Sequence, residues 1–348
     1  MPTRLGSRLD TVWITKQTQP ATLLILLTLL LIASIAALLT GTFDVDINAL
    51  FDTAEPKHNN AWIIVVDLRL PRVLLAGLVG AILAIGGVVM QALFRNPLAD
   101  PSLIGVTAGA SLGASLAIVL FSATGVGIMS LTTVSIGAFA GGLAATYLVY
   151  RLAKRGGEFS VSTMLLAGIA VTALAGSVGN LMDFFADNAA LRQISLWRMG
   201  GLDSANFERV AVVTGPAVVL LAAAIHHRKA LNVMLLGDSQ ARYLGINVTR
   251  VRTGLIIAVA IAVSTSVAMG GTIAFIGLII PHMARLLFGP SHRRLIPAAA
   301  LLGACLLICA DTIARTILTP VELPAGIITA LLGVPFFLYL LNRGAKYV

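Results

Sequence analysis

Between Arg69 and Ala114 an apolar run of membrane-spanning length enters at Arg-x-x-Arg and leaves at Arg-Asn-Pro-Leu-Ala-Asp-Pro. A second run, rich in Gly, Ala and Ser, follows almost at once. Two prolines and an ionic turn between apolar spans suit a tight connector held against protein. Backbone freed at membrane depth is tolerated only where protein or a wet cavity satisfies it. The stretch therefore predicts a polytopic membrane protein of transporter type.

Composition supports this. Of 348 residues, 58% are hydrophobic and 11% charged. Soluble domains carry roughly 25% charged residues, so this chain could not cover its own surface in water. The net charge of +9 does not mark a nucleic-acid binder, because the basic residues lie between apolar spans and not on one soluble patch. Crossing the roughly 30 Å hydrocarbon core takes about 20 apolar residues. Candidate spans fall near 21–41, 72–93, 103–122, 128–150, 163–185, 208–226, 251–269, 273–288, 295–315 and 325–341. The expected fold is thus all-α, with about ten transmembrane helices. The first run exceeds a signal-peptide core and no small-x-small cleavage pattern follows it, so it reads as a retained helix.

Connectors set the orientation. One set carries Arg4, Arg8, Lys16, Arg95, Arg151, Lys154, Arg155, the basic stretch from His226 to Arg252, His292 to Arg294, Arg343 and Lys346. The alternate set carries Asp44, Asp46, Asp52, Glu55, Asp67, Asp187, Asp203 and Glu208. The Lys/Arg bias makes the first set cytoplasmic and puts both termini inside. Arg69, Arg72 and Arg315 fall on the outer side, where they either snorkel to headgroups or meet an acidic partner surface.

Several residues invite chemical readings. Cys305 and Cys309 sit four apart on one helix face and read as small buried hydrophobes, since zinc would need two further ligands. His282, beside Pro281, reads as hydrogen-bonded to backbone that the proline frees. Glu322 and Pro324 stand at a helix start, which suits its positive dipole end, or Glu322 pairs with Arg315. The longest inner connector places Leu231, Val233, Leu235 and Leu236 before Gly237, and Ala241, Tyr243 and Leu244 before Gly245. That spacing predicts two short amphipathic helices, lying on the bilayer or against a partner. No G-x-x-x-x-G-K-[ST] occurs, so nucleotide chemistry would belong to another polypeptide. Asp183 and Asp311 lack His or Ser partners at helical spacing, which speaks against an intramembrane enzyme. Few mid-span carboxylates speak against an ion-coupled secondary transporter.

Four blocks, from RLPR to NPLADP, the LGD-x-x-A-x-x-LG connector, Gly270 to Ala304 with its Pro-His, and ELPAG onward, resemble the FecCD family, the permease subunits of ABC importers for iron chelates and vitamin B12. The resemblance implies the type II importer permease fold, with two inverted five-helix halves in a single permease domain over 1–348. A cytoplasmic segment would cover 1–20 and coupling helices 227–250. It implies a homodimer in the inner membrane, working with two copies of an ABC ATPase and a periplasmic binding protein, and no permanent cofactor. Arg69, Arg72 and Arg315 would dock the binding protein. Leu236, Gly237, Asp238, Ala241, Leu244 and Gly245 would couple to the ATPase. Asn96, Leu98, Ser160 and Ser162 would form a cytoplasmic gate, with Val161 departing from the family pattern. The external segment from Asp183, with Arg192 and the Trp197-x-x-Gly200 motif, is most similar to hemin permeases. Arg192 would then lie on the substrate path facing propionates. Ferric siderophores or vitamin B12 are the alternative cargoes, and Trp197 and Arg198 could equally be interface anchors.

Overall fold

A computed structural model describes residues 19–43, 60–123, 131–155 and 158–344. The basic residues Arg4, Arg8 and Lys16 and the acidic Asp44, Asp46, Asp52 and Glu55 lie outside the described residues. The chain runs through α1 (Gln19–Leu39), a single turn α2 (Asn60–Trp62), a π-helical stretch (Ile63–Arg69) and α3 (Leu70–Phe94). A 3-10 turn (Pro101–Ile104) leads to α4 (Val106–Ala123) and α5 (Leu131–Ala153). A two-residue hairpin, β1 (Lys154–Arg155) with β2 (Glu158–Phe159), precedes α6 (Val161–Phe185), α7 (Asn188–Met199) and α8 (Phe207–His226). Two short helices follow, α9 (Arg228–Met234) and α10 (Asp238–Tyr243). The chain ends in α11 (Val248–Gly270), α12 (Ile276–Phe288), α13 (His292–Thr316) and α14 (Ala325–Gly344).

Among the described residues seven helices are long and apolar enough to cross a bilayer, and α4, α12 and α14 are shorter apolar helices. Together these are the ten spans of an all-α polytopic permease fold. Five spans per half is an odd number, so the second half enters the membrane from the opposite side and is inverted relative to the first. Helix ends are fixed by side chains that satisfy orphan N–H groups. Ser160 accepts from the Thr163 N–H (3.2 Å), Asn206 from Arg209 (2.8 Å) and Asn247 from Arg250 (3.0 Å). Pro71 lies inside one continuous helix, Asn60–Phe94, directly after the π-helical stretch, so the wider turn sits where the proline offers no N–H. Arg95 ends that helix in the left-handed conformation, at φ +50°.

The enclosed core is α3, which packs against α8, α11, α12 and α13. In lipid no hydrophobic force draws helices together, so close backbone approach through small residues has to do it. Gly80 of α3 meets Gly303 of α13, and Gly109 and Gly113 of α4 meet Gly137 and Gly141 of α5. A Cβ at any of them would collide with the facing backbone.

Helix α12 has 13 residues, about 20 Å of rise, and does not span the core alone. The preceding Gly271–Phe275 is irregular, so protein must cover it. It does: Gly200, Gly271 and Gly326 bring three backbones together, with Gly326 N–H donating to Gly200 O at 3.0 Å and the Thr272 hydroxyl donating to Arg198 O. Within α12, Pro281 cannot donate to the Gly277 carbonyl, which is left pointing at Gly87 of α3. One residue on, the Gln91 amide donates to Leu278 O at 3.4 Å. The freed backbone is thus met by α3. His282 is not its partner; its ring is part-exposed and makes no hydrogen bond, which corrects the reading from sequence. Cys305 is half-buried and Cys309 exposed, so the cysteines are not both core residues. No cluster of metal-ligating side chains accompanies them among the described residues.

Candidate functional site

Three regions hold the polar groups that an apolar helix bundle would otherwise exclude. At one end of the bundle, α3 and α13 carry Arg72, Asp311 and Arg315 into the protein interior. Arg72 is 9% exposed, Arg315 3% and Asp311 1%. Arg72 Nε donates to both Asp311 carboxylate oxygens at 3.0 Å, and its Nη1 reaches Glu322 at 2.7 Å. Arg315 Nε lies 3.3 Å from Asp311, while its Nη2 donates to Ala37 O at 2.9 Å and its Nη1 to Thr40 O at 3.3 Å. Arg69, also buried, donates to Leu38 O at 2.8 Å and to Phe43 O. Charges taken out of water need partners on every donor. Here two arginines share one carboxylate and the carbonyls at the end of α1 take further donors, while Arg315 Nε is buried with only its ionic contact to Asp311. Glu322 pairs with Arg72, not Arg315, and also accepts from the Thr42 hydroxyl at 3.1 Å. Burial raises the Glu322 carboxyl, but the Arg72 hydrogen bond and charge outweigh it and hold it below its usual range. The three arginines expected to be held out to a partner are therefore turned inward, and Glu322 is the exposed edge of their network.

The second region is a cavity of about 350 Å³ at the same end, between α5, α7, α8 and α11. Arg192, Trp197, Ser204, Arg209 and Met269 line it. Arg209 is fixed by Ser204 Oγ at 2.6 Å and by Met269 O at 3.0 Å. Arg192 is exposed. Helix α7 is pinned at both ends. Asp187 accepts from the Ala190 N–H at 2.7 Å and from Ser122 at 2.8 Å, which holds its carboxyl below the usual range. Arg198 grips Asp183 with two hydrogen bonds, of 2.6 and 3.0 Å, and reaches Ser115 at 3.1 Å. Arg198 is thus a fold contact, which the sequence left open against an interface anchor.

The third region is at the opposite end, where α9 and α10 stand outside the bundle. In and just after them large apolar side chains are exposed beside the polar Lys229, Ser239, Gln240 and Arg242: Tyr243 is 86% exposed, Leu236 68% and Leu244 64%. Gly237, at φ +115°, makes the bend between them, and Gly245, at φ +82°, the bend after. Ala241 is buried beneath. Asp238 receives two hydrogen bonds of 2.8 Å from Arg252 of α11. His292 ties α9 to α13, its backbone N–H at 3.0 Å and its Nδ1 at 2.6 Å from Asn232 Oδ1. Asn96 closes an Asx turn onto the Leu98 N–H at 2.9 Å, leaving Leu98 exposed. Ser160 accepts from both the Thr163 N–H and hydroxyl and lies 3.0 Å from the Ser162 hydroxyl. The two turns lie at the same end of the bundle and make no hydrogen bond to each other within one chain, among the described residues.

The FecCD transport family matches residues 29–343. The hemin transport system permease protein HmuU of Yersinia pestis is 41% identical over 319 residues, covering 91% of this chain and 94% of that protein. The cobalamin import system permease protein BtuC of Halobacterium salinarum is 42% identical over 282 residues, covering 81% and 74%. A solved structure described as an inward-facing metal-chelate type ABC transporter superposes with a TM-score of 0.83 at 31% identity, over 93% of this chain and 99% of that one.

Proposed function

The chain belongs to the FecCD transport family, and from that membership we propose how this ABC importer permease works, what it carries and what it binds. The exposed apolar side chains on α9 and α10 carry the reading, because a cytoplasmic loop displaying Tyr243, Leu236 and Leu244 to water needs a protein to cover them. An ABC ATPase bound there supplies the energy, and the permease itself catalyses no covalent change. The functional unit is a homodimer with two ATPase copies, in the inner membrane with both termini cytoplasmic. Its cargo path runs on the two-fold axis between α6 and α14. Outward-facing Leu166, Ile169, Leu174, Leu181 and Phe184 on α6 suit that pairing. Asn96, Leu98, Ser160 and Ser162 close the path at the cytoplasmic end. A periplasmic binding protein docks on the outer ionic network of Arg69, Arg72 and Arg315, reaching it past Glu322.

Hemin is the cargo this reading favours, on the similarity to a hemin permease along nearly its whole length and on Arg192 as a cationic group for propionates. Hemin passes through and is not a resident cofactor. Cobalamin is the second reading, favoured by the 42% identity to a cobalamin permease. Proteoliposomes holding the chain, its ATPase and its binding protein, offered hemin, cobalamin and a ferric siderophore side by side, separate these cargoes. ATP-driven hemin uptake that Arg192→Ala lowers about tenfold, a typical loss for a charge-assisted contact, supports cargo and residue together. Uptake of cobalamin or siderophore alone overturns the hemin reading and keeps the importer. In the same vesicles Tyr243→Asp is expected to release the ATPase, read as loss of its co-purification. Retention of the ATPase at wild-type yield would put the docking surface elsewhere.

A further inference from the structure

Asp238 and Ser160 belong to different halves of the chain, yet one guanidinium stands between them. Arg252, with a side chain 3% exposed, donates Nη2 to both oxygens of Asp238. Its Cζ lies 4.7 Å from the centre of the Phe159 ring. Phe159 is the last residue of the β1–β2 hairpin, and the next residue, Ser160, caps α6. The hairpin is fixed to its surroundings by the Ser160 N–H on Ala153 O at 3.2 Å and by Tyr150 packed on Phe159 at 6.1 Å. On the other side of the same bend, Gly237 abuts the Arg95 guanidinium, 3.5 Å from where a Cβ would stand. Arg95 directly precedes Asn96. Of two consecutive residues at the start of α10, Gly237 thus touches Arg95, one position before the first gate turn, and Asp238 reaches Phe159, one position before the second, through Arg252.

We propose that Arg252 is the positioning residue through which movement of α10 reaches the cytoplasmic end of α6. The inference rests on the reading of α9 and α10 as the ATPase dock and of Ser160 as part of the gate. The chemistry suits a strut. A guanidinium clamped on a carboxylate is directional, and its flat face on an aromatic ring resists both tilt and withdrawal. A low-dielectric setting strengthens both contacts. Arg252 Nε is buried and makes no hydrogen bond among the described residues, so within them the side chain is held by these two contacts. When the ATPase draws α10 aside, Arg252 must either pull Phe159, and with it the first turn of α6, or break contact with one of them.

The test uses the full complex in proteoliposomes, with the wild-type cargo as probe, and reads ATP hydrolysis and uptake on the same sample. Phe159→Leu keeps an apolar side chain but removes the ring face. Arg252→Lys keeps the charge but removes the plane. Both are expected to assemble and to hydrolyse ATP within about twofold of wild type, while cargo imported per ATP falls about tenfold, a size typical of coupling between sites. Tyr150→Phe, which removes only the 2.7 Å hydrogen bond to Thr253 beside the strut, is expected to leave that ratio unchanged. A ratio equal to wild type in both strut variants overturns the proposal, as does loss of assembly in both, which would make the contacts structural only. Failure of the wild-type complex to import any cargo on ATP would instead overturn the transport reading from which the inference starts.

Discussion

Replacing Gly87 by alanine is expected to lower the melting temperature steeply and cut the accumulation of folded permease several-fold, although the change adds one methyl group to a helix. The added Cβ would overlap the Gly277 carbonyl oxygen and lie 2.9 Å from Gly277 Cα. A flexible side chain could swing aside; a backbone carbonyl cannot. That carbonyl is where Pro281 left it, without an intrahelical donor, pressed on the one face of α3 with no side chain. Separating α3 from α12 would also strain the Gly80–Gly303 crossing on the same helix. Overpacking costs about 1–3 kcal/mol and sometimes more, and with no rotamer to relax the expected loss is at or beyond about 3 kcal/mol. Against a total stability of about 5–15 kcal/mol this removes a large share of the margin, enough to lower the accumulated protein several-fold. The control is Gly254→Ala in α11, where no atom beyond its own chain neighbours and helix backbone lies within 4 Å of the new Cβ. There the helix propensity of alanine should raise stability, by up to about 1 kcal/mol. Melting of the detergent-solubilised chain checks both, and a Gly87→Ala protein that melts with wild type would refute the close contact.

The second large effect concerns the outer ionic network. Arg72→Ala leaves Asp311, 1% exposed, with only the 3.3 Å contact to Arg315. Removing one partner of a buried pair costs about 3–5 kcal/mol, while replacing both with apolar residues is often neutral. The single variant should therefore melt far below wild type, and Arg72→Met, Asp311→Leu and Arg315→Met together, which leave no member of the triad unpaired, should recover most of the loss. The recovered triple variant is the informative one. If the arginines also serve the binding protein, stability returns but stimulation of ATP hydrolysis by the binding protein does not. Full recovery of both would make the network structural alone, and no recovery of stability would show that the contacts to Glu322 and to the end of α1 carry the stabilisation.

How much could be read in advance follows from the range of each interaction. The ten apolar runs were legible because span length is a one-dimensional property set by bilayer thickness. The bends at Gly237 and Gly245 were legible because a φ of +115° or +82° favours glycine locally. Pro281 announced a freed carbonyl, but the sequence suggested its neighbour His282 as the partner, whereas a helix almost two hundred positions earlier in the chain meets it. The outer arginines were visible as unusual, yet their exposure was not. An arginine at a membrane boundary can face headgroups, a partner or the interior, and only the position of Asp311, on another helix, decided for the interior. Arg252 gave no sign at all among the many cations of its connector, since its meaning depends on a carboxylate fourteen residues before it and on a ring from the other half of the chain.

The sequence by itself determined that this chain is a membrane-embedded helix bundle of the FecCD type, because hydropathy period, proline and glycine punctuation and the alternation of basic connectors are carried by neighbouring residues. Tertiary structure alone decided which backbones touch at Gly87, Gly113 and Gly200, which carboxylate each buried arginine answers to, and which cation links α10 to α6. The reason is physical. In lipid, packing and polar pairing replace the hydrophobic force between helices, and both fall off within a few ångströms, so their partners are fixed by how whole helices cross and not by what stands beside them in the chain.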